Sequence, residues 1–152
     1  MFAATATYAQ SDSVKKHAVF IELLGSGGFG SINYENQFLT KPKFALTFRT
    51  GLSVAPIDKN NGAGIVFPVM VNVLFGKGPH KLEFGLGQGI TVTTRGSFFT
   101  LTTAVAGYRF QRKDRPWFYR ATYTPLISYL VDFQVQQWGG LSIGYSFGKK
   151  AK

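Results

Sequence analysis

The sequence contains no cysteine and only two histidines, His17 and His80, among its 152 residues. The absence of cysteine excludes a disulfide scaffold, a thiolate metal site and a cysteine nucleophile. Two imidazoles are too few for a multi-histidine metal site. Charged residues are also scarce, at 16% against about 25% in a typical soluble domain. No run of about 18 apolar residues occurs, so the sequence predicts no transmembrane helix.

Glycine, aromatic residues and positive charge are in excess. The chain has 18 glycines, 15 phenylalanines and 7 tyrosines, and its formal net charge is +10. Its length fits one domain and is too short for a kinase or a two-domain enzyme. The net charge permits an anionic partner, either nucleic acid or a lipid surface. Because the basic residues lie in predicted turns and no recognition helix or RNA-binding motif accompanies them, we expect no nucleic-acid partner.

The two ends of the chain differ in composition from its middle. Residues 1–9 are small and weakly apolar and are typical of the end of a secretory signal cleaved after Ala9. Residues 10–16 form a polar lead-in, and residues 148–152 form a basic C-terminal tail. We expect one domain between them, residues 17–147.

That middle region shows strand-like alternation of apolar and small residues almost throughout. Glycine, proline and polar breaker residues divide it into eight segments: 17–24, 29–38, 44–55, 65–75, 81–93, 98–111, 117–129 and 139–147. Most segments exceed the usual strand length of about 5–6 residues and match a tilted strand that crosses a bilayer. Short connections predict antiparallel hairpins. The predicted fold is therefore all-β, an eight-stranded antiparallel up-and-down transmembrane β-barrel.

One face of the predicted strands is bulky and aromatic, and the other carries glycine, alanine, serine and threonine. A soluble lipocalin-like barrel would bury the bulky face, whereas a membrane barrel would turn it toward lipid. An eight-stranded barrel has room only for a filled core of side chains, and this many rings would overfill it. The small-residue face also has too few charges for a soluble surface. We therefore predict that the bulky face points outward.

Six charged residues fall on the small-residue face and should lie in the lumen. They are Glu22, Glu35, Arg49, Glu83, Arg109 and Arg120. Three acids and three bases can neutralise one another, and an unpaired charge would be costly there. We interpret the set as a structural plug. A more specific alternative is that they form a proton path or include a catalytic carboxylate. No neighbouring residues in the sequence supply the other groups that such a mechanism would need.

The basic residues cluster at one predicted end of the barrel. With an even number of strands, that end holds both termini and the turns after the second, fourth and sixth strands. In an outer-membrane barrel it is periplasmic, where anionic headgroups favour lysine and arginine. Aromatic residues are predicted to circle both ends, as in membrane barrels. They are Phe38, Phe44, Phe75, Phe84, Phe110, Trp117 and Phe147 on the periplasmic side, and Phe29, Phe67, Phe98, Tyr129 and Trp138 on the other.

Several glycine, proline and histidine positions carry separate expectations. The run 24–32 imitates a kinase glycine-rich loop, but we interpret residues 25–28 as a tight hairpin turn that needs positive φ. Glycines in the fifth segment should let the barrel wall curve or leave room for lumenal side chains. Pro68 and Pro125 lie within strands, so we expect a bulge or loosened pairing there. His17 and His80 are expected to be interfacial residues rather than ligands or catalytic bases.

The last strand, 140–147, resembles the C-terminal β-signal of outer-membrane proteins, in which alternating apolar residues end in an aromatic residue, here Phe147. More broadly, residues 17–147 resemble the small outer-membrane β-barrel proteins of the type common in Bacteroidota. The similar stretches are 82–87, 107–110, 119–121, 124–127 and 140–147. The resemblance implies insertion by the barrel-assembly machinery and a Gram-negative outer membrane with both termini periplasmic. It implies no activity.

Our leading functional hypothesis is a non-enzymatic structural or accessory subunit of a larger outer-membrane assembly, with membrane lipid and other outer-membrane proteins as partners. We expect no cofactor and no metal. A surface binding module is the first alternative, and its outer-loop rim would be Asp58, Lys59, Arg95, Asp132, Gln134, Gln136 and Gln137. A narrow channel, a lipid enzyme and a soluble lipocalin-like barrel remain further alternatives.

Overall fold

A computed structural model describes residues 15–60, 62–129 and 132–148, which form ten β-strands. The expected signal remnant 1–9, most of the lead-in 10–16 and all but Gly148 of the C-terminal tail lie outside these described residues. No helix in the described part of the chain is long and apolar enough to cross a membrane. The strands are β1 (His17–Gly25), β2 (Gly28–Thr40), β3 (Phe44–Asp58), β4 (Gly62–Phe75), β5 (His80–Thr93), β6 (Phe98–Gln111), β7 (Trp117–Tyr123), β8 (Leu126–Ser128), β9 (Gln134–Gln136) and β10 (Gly139–Phe147).

The ten strands close into a barrel with eight strand positions around its wall. Each strand from β1 to β6 pairs antiparallel with the next, β7 pairs with β6, and β10 pairs with both β7 and β1. The short strands β8 and β9 pair with each other, and β8 extends the ladder on β6 beyond β7. Strands β7 and β8 together form the seventh strand of the barrel, and β9 and β10 form the eighth. The predicted eight-stranded antiparallel barrel is therefore confirmed.

The two prolines within strands loosen the pairing without shifting it. The seventh barrel strand, formed by β7 and β8, is interrupted at Thr124 and Pro125. Its pairing with β6 keeps one register on both sides of the interruption, with Tyr123 opposite Ala106 and Leu126 opposite Thr103. Strand β4 stays continuous through Pro68, although its ladder with β3 skips the positions between Val66 and Val69. The expected loosening is therefore present at both prolines. The register shifts lie elsewhere, between Gln37 and Leu39 and between Pro56 and Asp58.

The turns opposite the termini are shorter than the sequence predicted. Strand β3 continues to Asp58, beyond the predicted segment 44–55, and β4 begins at Gly62, before the predicted segment 65–75. The gap between the predicted segments 117–129 and 139–147 is not one loop, because the stretch Gln134–Gln136 adds strand β9. In the first hairpin a two-residue turn lies between Gly25 and Gly28, and the positive φ angles fall on Leu24 and Gly28 rather than at its centre.

Bulky side chains point away from the barrel axis, as the alternation indicated. Exposed apolar residues such as Ile32, Leu86 and Leu141 occupy the outward positions, while Thr47 and Thr103 on inward positions are fully buried. Aromatic rings meet across strands near both ends of the wall. Ring centroids lie 5.3–6.4 Å apart in three pairs on the terminus side, Phe44–Phe75, Phe75–Phe84 and Trp117–Tyr145, and 5.7 Å apart in Phe29–Trp138 on the other side.

Large inward side chains are matched by glycine on the neighbouring strand. Gly144 of β10 lies opposite both Phe20 of β1 and Phe118 of β7, which are the two buried rings of the lumen. A Cβ at Gly144 would overlap the Phe118 ring and lie 2.6 Å from the Cβ of Phe20. Gly85 likewise lies opposite Asn72, whose amide fills the space that a side chain at Gly85 would need. The glycines therefore set the width available to lumenal groups.

Gly144→Ala should destabilise the barrel by about 1–3 kcal/mol, because the added methyl overpacks two buried rings. Urea unfolding in detergent micelles, followed by circular dichroism, measures the change. Gly139→Ala on the same strand is the control, since a Cβ there meets only ordinary contact, 3.5 Å from the carbonyl oxygen of Thr122. Equal destabilisation by both changes would contradict the packing argument.

Candidate functional site

Six charged residues lie inside the barrel on six different strands. Strands β1, β2 and β3 supply Glu22, Glu35 and Arg49, and strands β5, β6 and β7 supply Glu83, Arg109 and Arg120. Each side chain shares the inward phase of its strand with small residues, and none is more than 4% exposed. Their formal charges cancel. The structure therefore brings together all six residues that the sequence assigned to the lumen.

Glu83 is the centre of this lumenal charge network. Arg120 donates to both of its carboxylate oxygens, with Nε and Nη2 at 3.0 and 2.7 Å. Arg109 Nε donates to Oε2 at 3.2 Å, and Asn72 Nδ2 donates to Oε1 at 2.8 Å. The two arginines face each other directly across β6 and β7. Because like charges in opposite positions repel, the carboxylate shared between them is what allows that pairing.

Arg109 also binds the second glutamate of the network. Its Nη1 and Nη2 donate to the two carboxylate oxygens of Glu35, each at 2.7 Å, which is the bidentate geometry that suits a guanidinium. Thr47 Oγ1 donates to the same carboxylate at 3.3 Å. Arg109 therefore connects Glu35 on β2 to Glu83 on β5 across the lumen.

The third glutamate, Glu22, connects Arg49 to Arg120. Arg49 forms an ion pair and a hydrogen bond with Glu22, and Arg120 Nη1 lies 3.9 Å from Glu22 Oε2. The Nε of Arg49 donates to Asn33 Oδ1 at 3.0 Å. All three carboxylates thus join one connected set of ion pairs with all three guanidinium groups.

Two phenylalanines that the sequence analysis did not single out pack against these cations. Arg49 and Arg120 each lie over the Phe20 ring, 4.9 and 4.7 Å from its centroid. Arg109 lies 4.6 Å from the centroid of the Phe118 ring. Such contacts favour a cation most where water is excluded. The signal was present, because both rings share the phase of the small-residue face of their strands.

The network crosses the middle of the lumen and saturates one carboxylate, that of Glu83, with donors. Glu83 accepts four hydrogen bonds from three side chains, two on each of its oxygens. Among the described residues, no group of three potential metal ligands comes together. The arrangement therefore cross-links the strands of the barrel.

The predicted outer-loop rim is dispersed at the end of the barrel opposite the termini. Lys59 and Arg95 are exposed on neighbouring turns, and Arg95 Nη1 donates to the carbonyl oxygen of Asn60 at 2.6 Å. Asp132, Gln134, Gln136 and Gln137 are exposed on and around β9, while Asp58 ends β3. In the part of the chain that the structure describes, no ion pair joins Asp132 to Lys59 or Arg95.

The two histidines lie on the outer wall near the terminus end. His17 stacks on Phe147 and Tyr34, and its Nδ1 shares a hydrogen bond with the Tyr34 hydroxyl at 2.7 Å. His80 makes the equivalent pair with Tyr108 and contacts Phe110. Each ring therefore belongs to an aromatic cluster rather than to a ligand set.

Comparison with solved structures identifies a similar fold. The N-terminal β-barrel domain of Pseudomonas aeruginosa OprF matches with a TM-score of 0.59 and covers 86% of this chain and 97% of that chain. Sequence identity is 15%, so the likeness concerns the fold. This chain is a closed eight-stranded antiparallel barrel of that kind. No protein-family model and no curated protein matches the sequence.

Glu83→Gln should destabilise the barrel by about 3–5 kcal/mol, because it leaves two buried arginines short of one carboxylate. Urea unfolding in micelles measures the loss. Asp114→Asn is the control, since Asp114 pairs with Arg112 in an exposed turn at 2.9 Å. That contact lowers the pKa of Asp114, but exposed pairs contribute little to stability. If both variants unfold alike, the shared carboxylate is not the centre of the network.

Proposed function

We propose that this chain is a non-enzymatic β-barrel of a Gram-negative outer membrane and serves as a structural or accessory subunit of a larger assembly there. The observation that carries the proposal is the outward apolar surface of a closed barrel whose lumen is crossed by the charge network. The resemblance of the sequence to small outer-membrane barrels supports the same function. Similarity to the Bacteroidota type of these barrels stays a prediction.

The outward wall favours lipid over water. All eight strands of the barrel carry exposed apolar or aromatic side chains, which are leucine, isoleucine, valine, phenylalanine and tyrosine. Soluble monomers rarely expose apolar patches above a few hundred Å². Strands β2 to β6 contain 13–15 residues each, which is long enough to cross a bilayer with tilt. A soluble lipocalin-like barrel is disfavoured, because it would bury its bulky residues, whereas here they lie on the outer surface.

The charge distribution supports an orientation with both termini in the periplasm. Nine of the 14 basic residues that the structure describes lie at the terminus end of the barrel or in its turns. Lysine and arginine favour an anionic inner leaflet. The last strand ends in the exposed ring of Phe147, consistent with recognition by the barrel-assembly machinery.

The charge network in the lumen and the short turns favour a subunit function over a channel or a loop-mediated receptor. The lumenal charge network leaves little room for solute passage, which disfavours a narrow channel. The turns opposite the termini are short, which disfavours a receptor that acts through projecting loops. The wall is then the largest surface available for a protein partner. A lateral neighbour in the membrane is the partner that such a surface fits.

Leu86→Arg tests whether the wall faces lipid. Leu86 lies at the middle of β5 and is 67% exposed. In a bilayer the new charge should destabilise the barrel by about 2–4 kcal/mol, measured by urea unfolding in liposomes. Phe133→Arg is the control, because Phe133 is 77% exposed but lies in the loop before β9. A soluble barrel would tolerate both changes equally, and that outcome would refute membrane insertion.

Native mass spectrometry tests the subunit function directly. Membranes that carry a tagged copy are extracted with mild detergent, and the complexes that contain the barrel are weighed. We expect recovery in a larger complex with other outer-membrane proteins. Recovery as a lone barrel would refute the subunit function while leaving the membrane location intact, and recovery without detergent would refute both.

A further inference from the structure

The terminus end of the lumen holds a cavity of ≈ 440 Å³ that the plug does not use. The turns after β2, β4 and β6 surround it. Its lining includes four lysines and two neutral polar residues, Lys41, Lys77, Lys81, Lys113, Gln37 and Thr40. Small-molecule sites in proteins have volumes of about 300–1,000 Å³. The cavity is therefore of ligand size and is lined by cations from several separate segments.

Lys81 places one of these cations inside the barrel. It lies two residues before Glu83 on the inward phase of β5, directly opposite Arg109 on β6. Arg109 is already bound by Glu35 and Glu83. The half-buried Lys81, which lines the cavity, is therefore the next inward charge on β5 beyond Glu83 toward the terminus end of the barrel.

Three of the lysines that line the cavity lack an ion pair in the part of the chain that the structure describes. Lys41, Lys77 and Lys81 form no ion pair with a described acid. The three glutamates are bound by the lumenal arginines, and Asp114 pairs with Arg112. Asp132 lies at the opposite end of the barrel. The opposite mouth has another character, since its smaller cavity of ≈ 180 Å³ is lined mainly by apolar residues such as Phe29, Leu126 and Trp138.

The chemistry of the lining selects the class of ligand. Lysine ammonium groups are compact point charges without the planar fork that arginine offers to a carboxylate. Several of them around one cavity favour a compact anion with more than one negative charge, and phosphate groups fit that description. An extended polyanion is too large for a cavity of ≈ 440 Å³.

We propose that this lysine-lined cavity binds a compact polyvalent phosphate, either free as a phosphorylated small molecule or carried by a lipid headgroup. This site is distinct from the wall that carries the proposed subunit function. It needs no protein partner, so it stands or falls independently of that function.

Titration of the full-length protein with inorganic pyrophosphate tests the proposal by isothermal calorimetry in zwitterionic micelles. We expect wild-type binding that weakens as salt is raised. Lys77→Gln, in an exposed turn, should weaken binding about tenfold, and Lys77→Gln with Lys81→Gln about a hundredfold, since each charge-assisted contact contributes about a factor of ten. Circular dichroism establishes that both variants fold.

The matched control removes the same charge from the same end outside the cavity. Lys16 and Lys43 are exposed and do not line it, so Lys16→Gln with Lys43→Gln should change the affinity less than about twofold. Absence of wild-type binding at about 1 mM pyrophosphate, or equal losses in the two double variants, would overturn the proposal.

Nanodiscs then distinguish the two sources of phosphate. Pyrophosphate binding is compared in phosphatidylcholine nanodiscs with and without phosphatidic acid. Loss of binding in the presence of phosphatidic acid supports the site with a lipid headgroup as its ligand. Unchanged binding supports the site with a free phosphorylated molecule as its ligand.

Discussion

Neutralisation of charge within a narrow lumen is the constraint on which the rest of this barrel depends. Eight strands leave room for a filled core and no open pore. Any charge placed there must find its counter-charge among a few inward neighbours, because burial without one is expensive. The chain meets this condition with three glutamates and three arginines from six strands. Each ion pair therefore also fixes one wall of the barrel relative to another.

The composition of the inward and outward faces of the strands follows from the side chains that occupy the lumen. Guanidinium groups, two phenylalanine rings, Met70 and Leu74 already occupy the lumen, so most of the other inward positions are small. Gly144 and Gly85 give way to Phe118 and Asn72 on adjacent strands. The bulky residues then have only the outer wall to occupy, and a wall of that kind is unsuited to water. The charged core and the apolar surface are thus two consequences of one small radius.

The sequence was sufficient to predict the faces but insufficient to predict the contacts. Alternation fixes the phase of each strand, so Glu83 and Arg120 were assigned to the lumen before any register was known. Which arginine meets which glutamate depends on strand stagger, and alternation carries no information about stagger. Phe20 was missed for a related reason. Its phase indicated burial, but only the close approach of Arg49 and Arg120 gives the ring its place in the network.

Strand ends were the least predictable part of the fold. No strand is predicted between segments 117–129 and 139–147, yet Gln134–Gln136 pairs with Leu126–Ser128 as strand β9. Backbone hydrogen bonds decide that pairing, so glutamine side chains do not prevent it. Pro125 could be predicted to weaken the ladder because it lacks an N–H group. That the register would survive on both sides of it could not be predicted, since neighbouring strands hold it in place.

The lumen changes in character along the barrel axis, and this polarity limits what the molecule can do. A mainly apolar mouth, a neutral charged plug and a lysine-lined mouth follow one another from the hairpin end to the terminus end. A solute that suits one mouth is poorly suited to the other, and the plug separates them. A solute that passed through the barrel would therefore have to cross three regions of different character. Recognition at a mouth, or lateral contact through the wall, requires none of these regions to be crossed.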